Sequence, residues 1–157
     1  MRSVLVTGAA GGIGSHTAQL LPARGWPVGC YDRDAVGATE LASSLGAGAI
    51  GGRLDVTADD DWQAALAEVS TAGGGLHALV NNAGILAGAG GNAPLRHLGV
   101  RLTPDQVAAA IARAVETPDR LKGPHRYVGG QARFSSLATR LAPPTVSRTV
   151  VRLLAHH

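Results

Sequence analysis

A glycine-rich turn near the N-terminus is the first part of this chain whose residue types suggest chemistry. Gly8, Gly12 and Gly14 follow the apolar residues 4–6 and precede residues that favour a helix. Gly8 allows the chain to leave a strand with backbone angles that a Cβ would disfavour. Gly12 leaves the surface bare, so that a phosphate group can approach the free amides at the helix start. The pattern predicts a strand, a phosphate-binding turn and a helix, the first unit of a nucleotide-binding α/β fold.

An acidic residue at the end of the second predicted strand, residues 27–31, is the next candidate. Asp32 follows Gly14 at a separation close to the roughly 20 residues expected in a dinucleotide-binding unit. A carboxylate there accepts hydrogen bonds from the adenosine ribose hydroxyls and repels a 2′-phosphate. The sequence therefore favours NAD over NADP, although the adjacent Arg33 offers a cation to a 2′-phosphate. A solvated loop acid is the alternative interpretation of Asp32.

Two further segments follow the ends of the third and fourth predicted strands. Asp55-Val56 follows a weak predicted strand, and Asn81-Asn82-Ala83-Gly84 follows the predicted strand of residues 76–80. Together with the Thr-Gly-x-x-x-Gly-Ile-Gly turn, residues 1–86 resemble the cofactor-binding half of short-chain dehydrogenases/reductases. The resemblance implies that Asp55 and Val56 contact the adenine ring and that Asn82 braces the central sheet. The predicted cofactor-binding residues are Thr7, Gly8, Gly12, Ile13, Gly14, Asp32, Arg33, Asp55, Val56, Asn82, Ala83 and Gly84.

The expected fold is a single α/β domain with a Rossmann-like, doubly wound parallel sheet of about five strands and five to six helices. Residues 1–86 form the cofactor-binding half, residues 87–100 an irregular junction, and residues 101–157 a helix–strand–helix segment similar to the C-terminal end of full-length family members. Two helix starts are predicted from caps: Thr57 with Asp60, and the capping box of residues 103–106.

The residues that carry out the family's reaction are missing from their expected places. The resemblance implies a serine after a fifth strand and a tyrosine four residues before a lysine. The one lysine is Lys122, and Pro118 stands where the tyrosine would be. Tyr127 follows the lysine instead of preceding it. We therefore predict no catalytic residues.

The other catalytic candidates are also displaced, because Ser135 and Ser136 lie on a predicted terminal helix and Asn92 in a glycine-rich loop. An ordinary domain of this class has about 200–250 residues, so the sequence indicates a family member without roughly a hundred central residues. That part would include the helices of the usual family dimer and the loops that shape the substrate pocket. The edge of the fourth strand would be exposed unless residues 126–129 cover it.

Composition excludes several classes of protein. Cys30 is the single cysteine, so there is no disulfide framework. No apolar run approaches the ~20 residues of a membrane span, and the N-terminus does not resemble a signal peptide, so we expect a cytoplasmic location. The six histidines are scattered without ligand spacing, and no metal site is predicted.

Charge is distributed unevenly, and this leaves alternative functions open. All eleven acidic residues lie within residues 1–119, whereas residues 120–157 hold seven basic residues and no acid. The main interpretation is an NAD(H)-binding protein without turnover of its own; a second is an oxidoreductase that uses Tyr127. A third is an interaction or membrane-surface protein that acts through its basic C-terminal helices. Nucleic-acid binding is not expected, because Tyr127 and Phe134 are the only stacking aromatics of this tail.

Overall fold

The computed structural model describes residues 2–84 and 103–117. Four strands, four α-helices and a short 3-10 turn occur in these residues. In chain order they are β1 (Ser3–Thr7), α1 (Gly12–Leu20), the 3-10 turn (Pro22–Arg24), β2 (Val28–Asp32), α2 (Ala35–Leu45), β3 (Ile50–Arg53), α3 (Asp59–Gly73), β4 (Leu76–Val80) and α4 (Pro104–Glu116).

The four strands form one parallel sheet in the order β3-β2-β1-β4. Val6 of β1 pairs with Cys30 of β2 on one side and with Val80 of β4 on the other. Parallel neighbours need crossover connections, which here are helices packed on the sheet. The prediction of a Rossmann-like parallel sheet is confirmed. The expected fifth strand and the helices after residue 117 lie outside the described residues.

The sheet has a separate apolar core on each face. Val4, Val6 and Val28 pack with α1, α2 and α4 on one face. Leu5 and Tyr31 pack with α3 on the other. This alternation follows from the period of two in a strand, which sends successive side chains to opposite faces. Both faces are covered, so β1 and β2 are buried throughout, apart from the half-buried Asp32 at the end of β2.

Helix α4 packs on α1, far away in sequence. Ala108 and Ala112, which are fully buried, keep the contacting surface of α4 small and allow the two backbones to approach closely. Arg24, just beyond α1, forms an ion pair of 2.6 Å with Glu116 at the end of α4. At the other end, the His16 side chain lies 3.4 Å from the Asp105 carboxylate.

The two predicted helix caps have different outcomes. The capping box is confirmed: the Thr103 hydroxyl accepts from the backbone N–H of Gln106, whose side chain accepts from the N–H of Thr103. The Thr57 cap is wrong. Helix α3 begins after Ala58 without a side-chain cap, and Thr57 instead closes a turn with Asp55, to whose carboxylate its N–H and hydroxyl donate at 3.0 and 2.7 Å.

Candidate functional site

The glycine turn between β1 and α1 has the backbone conformation that its sequence predicts. Gly8 and Gly12 have φ angles of +66° and +54°, which favour glycine. A Cβ on Gly14 would overlap the carbonyl oxygen of Gly8, so this glycine permits close packing of α1 on the turn. A Cβ on Gly12 would meet nothing within 4 Å. Gly12 therefore presents an open surface at the start of α1.

The start of α1 is available to an anion. Its N-cap, Gly11, offers no side-chain hydrogen bond, and the first turn holds no acidic residue. Elsewhere in the described chain, α2 is capped by Asp34 and α4 by Thr103, while α3 has three acids in its first turn. Free amides at a helix start carry a partial positive charge. Among these four helices, α1 alone has neither a side-chain cap nor an acid to balance that charge, so its start is the one suited to a bound anion.

Asn82 and Thr7 join the end of β4 to the end of β1. The Thr7 hydroxyl accepts hydrogen bonds of 3.0 Å from the backbone N–H groups of Asn82 and Ala83. The Asn82 side-chain amide donates to the carbonyls of Thr7 and Gly8 at 3.1 and 3.2 Å. Thr7 is fully buried, so its hydroxyl braces the sheet beneath the turn.

The Asp32 carboxylate lies at the end of β2 beside the glycine turn. One oxygen accepts from the backbone N–H of Ala10 at 3.0 Å, and the other accepts from the N–H of Asp34 at 3.0 Å. Ala9 donates its own N–H to the carbonyl of Tyr31 at 3.1 Å. Asp32 is thereby held in one orientation, and no other residue of the described ranges donates to its remaining lone pairs.

Asp55 and Val56 follow the end of β3. The hydroxyl and backbone N–H of Thr57 both donate to the Asp55 carboxylate, and these bonds hold the pKa of Asp55 below its usual value. Arg33 and Arg53 act in the same direction by charge. The Val56 carbonyl accepts from the Trp62 indole at 3.1 Å. The Val56 side chain is left 39% exposed, as an apolar surface at the mouth of a cleft.

These parts surround one cleft of about 520 Å³ at the carboxyl ends of the strands. Its volume is in the range of small-molecule and cofactor sites. Among the predicted residues, Thr7 and Gly14 lie beneath the cleft and do not line it, and all the others do. Sequence reasoning missed Gly11, Leu54 and Thr57. The cleft is lined by Gly8, Gly11, Gly12, Ile13, Asp32, Arg33, Leu54, Asp55, Val56, Thr57, Asn82, Ala83 and Gly84.

A second, larger cavity of about 750 Å³ lies between β4 and α4. Apolar side chains such as Leu79 and Ile111 line it, and it shares Ile13 and Asn82 with the first cleft. Leu79 is 46% exposed. Within the described residues β4 pairs only with β1. Residues 126–129, which were considered as a cover for this edge, lie outside the described residues.

The catalytic candidates of the sequence also lie outside the described residues. These are Asn92, Lys122, Tyr127, Ser135 and Ser136, together with Pro118 at the position expected for tyrosine. In residues 2–84 and 103–117, no cluster of three or more histidines, cysteines or acids is placed to hold a metal ion. No helix in the same residues is long and apolar enough to cross a membrane.

A parallel sheet with a glycine turn at its first strand and a cleft at its carboxyl edge defines the Rossmann-like class of α/β proteins. Over residues 2–116 the chain matches the family described as short chain dehydrogenase. It belongs to this family of oxidoreductases, as the resemblance of its motifs implied.

The relatives that the chain resembles are much longer than the segments that match it. The chain is 40% identical over 82 residues to a 3-beta-hydroxysteroid dehydrogenase of Comamonas testosteroni, covering 52% of this chain and 32% of that protein. It is 43% identical over 102 residues to a cis-4-hydroxycyclohexanecarboxylate dehydrogenase of Sinomonas cyclohexanicum, covering 63% and 39%. The matches thus span about a third of these relatives.

Solved structures agree with the fold. A 3-ketoacyl-(acyl-carrier-protein) reductase from Brucella melitensis, complexed with NADH, aligns with a TM-score of 0.52 and 28% identity over 74% of this chain and 49% of that one. A hydroxysteroid dehydrogenase from Escherichia coli aligns with a TM-score of 0.50 and 29% identity over 53% and 36%. Nicotinamide dinucleotide is the cofactor of the family.

Proposed function

We propose that this chain binds NAD(H) in the 520 Å³ cleft and does not turn over a substrate on its own. The observation that carries the proposal is the start of α1, which has neither a side-chain cap nor an acid and opens into that cleft. A pyrophosphate would supply the missing negative charge and accept from the first amides of the helix. The bare surface at Gly12 gives it the room to do so.

The two sides of the cleft suit the adenosine half of the cofactor. Asp32 is fixed by two backbone amides and would accept from the ribose hydroxyls, which favours NAD over NADP. Arg33 lines the same cleft and is the group that could favour a 2′-phosphate. Leu54 and Val56 offer an apolar wall against which an adenine ring would pack.

The nicotinamide end would lie towards Ile13 and Asn82, where the cleft meets the apolar cavity along β4. NAD(H), when bound, supplies or accepts a hydride. The described residues that line the cleft include no tyrosine, lysine or histidine to move the accompanying proton. Tyr31 cannot serve, because it is buried and its hydroxyl donates to Glu68 at 2.6 Å.

The absence of turnover is further supported by the residue types after the cofactor-binding half. Position 118, four residues before the one lysine, Lys122, is a proline and not a tyrosine, so the sequence contains no Tyr-x-x-x-Lys pair. We infer a single domain in which residues 1–86 form the cofactor half, 87–100 a junction that replaces the central catalytic part, and 101–157 the C-terminal segment. The family's usual dimer-forming helices would then be missing.

The test is NADH binding to the purified chain, followed by cofactor fluorescence. Gly12→Asp places a carboxylate at the start of α1 and is expected to abolish binding. Gly25→Asp is the matched control, because Gly25 also has a positive φ, of 77°, and open space around it, but lies outside the cleft. Equal binding by the wild type and Gly12→Asp, or no binding by a wild-type chain that melts cooperatively, would refute the proposal.

A second candidate function rests on the charge of residues 120–157, which contain seven basic residues and no acid. We infer that this tail could bind an anionic membrane surface or an acidic partner. Vesicles with and without anionic lipid separate this function from the first. Binding that needs anionic lipid and weakens with salt would support the membrane surface as the target, whereas salt-independent or absent binding would exclude it.

A further inference from the structure

We propose that Asp32 is a positioning residue for the glycine turn, in addition to its contact with the ribose. This inference rests on the proposed NAD(H) site and concerns how the protein shapes it. The carboxylate of Asp32 accepts a 3.0 Å hydrogen bond from the backbone N–H of Ala10, in the middle of the turn. The acid that would read the adenosine ribose therefore also holds the segment that would bind the phosphates.

The turn is fastened on both sides. On the β2 side, consecutive residues Ala9 and Ala10 donate to the Tyr31 carbonyl and the Asp32 carboxylate. On the β4 side, the Asn82 side chain donates to the Gly8 carbonyl at 3.2 Å. Past Ala10 the described hydrogen bonds of the turn lead into α1 and not to a neighbouring strand: the Gly11 carbonyl accepts from the Ser15 N–H at 3.3 Å, and the Gly12 carbonyl accepts from the Ser15 hydroxyl at 3.0 Å. The Ala10–Asp32 bond is thus the last described anchor to a neighbouring strand before the two glycines.

Loss of this anchor would weaken phosphate binding by a route that is separate from the ribose contact. Two adjacent glycines have a large conformational freedom to lose when they take one conformation. A turn that is fixed before binding does not lose that entropy when the ligand arrives. Because the Ala10 N–H already donates to Asp32, it is not available to a phosphate. The phosphates would therefore accept from the amides at the start of α1.

The positioning role and simple electrostatics predict opposite results for an anionic ligand. Removal of a carboxylate close to the turn should strengthen anion binding if charge alone matters. Removal of the anchor should weaken it, even for a ligand that lacks the ribose hydroxyls. An NADH analogue with a 2′,3′-dideoxyadenosine moiety is such a ligand.

The first measurement is amide hydrogen exchange of the chain without ligand. In Asp32→Ala, the Ala10 amide is expected to exchange at least tenfold faster, because its acceptor is gone. Asp34→Ala is the matched control: Asp34 caps α2 by accepting from Gly37, so that Gly37 should lose protection and Ala10 keep it. Unchanged exchange at Ala10 in Asp32→Ala would overturn the proposal, whether or not NADH binds.

Asp32→Asn covers the case in which the alanine variant does not fold. A carboxamide has one acceptor oxygen where the carboxylate has two. Either the Ala10 or the Asp34 amide should therefore lose its partner and its protection, whereas full protection of both would contradict the bond pattern.

The second measurement compares NADH with the dideoxy analogue in wild type and Asp32→Ala. Asp32→Ala is expected to lower the affinity for the analogue about tenfold, as for the loss of one hydrogen bond to a charged group. An analogue affinity that is unchanged or improved would confine Asp32 to the ribose contact and overturn the positioning role. Failure of wild type to bind either ligand would refute the NAD(H) site, and the exchange result would still stand.

Discussion

Asn82 and Thr7 hold each other through both backbone and side chain. The Asn82 N–H donates to the Thr7 hydroxyl at 3.0 Å, and the Asn82 side-chain amide donates to the Thr7 carbonyl at 3.1 Å. These residues lie at the ends of neighbouring strands, where parallel pairing leaves the last backbone groups without strand partners. The pair satisfies those groups in the floor of the cleft, so stability and cofactor binding should depend on it together.

Thr7→Val should therefore destabilise the fold. The substitution keeps the shape of the side chain but leaves the half-buried N–H groups of Asn82 and Ala83 without their acceptor, so we expect a total loss of about 1–3 kcal/mol. Thr17→Val is the control, because Thr17 is equally buried but its hydroxyl only donates to the Ile13 carbonyl within α1. Urea unfolding gives the free energy of unfolding of each variant. Equal decreases in Thr7→Val and Thr17→Val would disprove the special role of Thr7.

Gly14→Ala should damage the turn far more than Gly11→Ala. A Cβ at position 14 would overlap the Gly8 carbonyl, whose backbone cannot move without disturbing the turn. Gly11 has an extended φ of −161° and open space around it, so alanine there should change stability by no more than about 0.5 kcal/mol. Thermal melting of the two variants checks this. A Gly14→Ala protein that melts like wild type would show that the packing is looser than described.

Stability should fall at alkaline pH partly through Cys30. Burial raises the pKa of the Cys30 thiol from 9.0 to about 11. The unfolded chain loses this proton first, so the contribution of Cys30 to stability is complete below pH 9 and decreases as the pH rises to about 11. Urea midpoints between pH 7 and 10.5 should decline less steeply for Cys30→Ala than for wild type.

Tyr31 acts in the same direction, because burial and then its hydrogen bond to Glu68 raise the pKa of its hydroxyl. Some alkaline loss should therefore remain in Cys30→Ala. Identical slopes for wild type and Cys30→Ala would mean that the thiol is accessible to water, contrary to its complete burial.

The preference for NAD over NADP should depend on Asp32 and Arg33 in opposite ways. Asp32→Ala removes the charge that repels a 2′-phosphate and leaves Arg33 in the cleft, so the ratio of NADPH to NADH affinity should rise by about tenfold. The ratio cancels any loss from a loosened turn, since both ligands share it.

The double variant Asp32→Ala/Arg33→Ala tests the second half of this prediction. Without the guanidinium, the gain for NADPH should largely disappear. A gain that persists would show that Arg33 points away from the 2′-position, and a ratio that does not change in either variant would contradict the assignment of Asp32 to the ribose.

Much of the fold could be predicted from the sequence because its signals are local. The glycine spacing, the apolar strands and the capping box at Thr103 each act within a few residues, and the structure has the corresponding elements at β1, α1 and α4. The local Thr57 signal failed for an equally local reason, since the Thr57 N–H and hydroxyl both donate to the nearby Asp55 carboxylate and the helix begins one residue later.

Other features depend on contacts between distant parts of the chain, and only the tertiary structure decided them. No spacing rule shows that Asp32 accepts from Ala10, that Thr7 lies beneath the cleft and not on it, or that Ala108 and Ala112 bring α4 onto α1. The sequence by itself determined the class of fold and most residues of the cleft, because backbone conformation and hydrophobic period are local properties. The orientation of the carboxylate, the support of the turn and the apolar cavity beside it required the strand ends to meet in three dimensions.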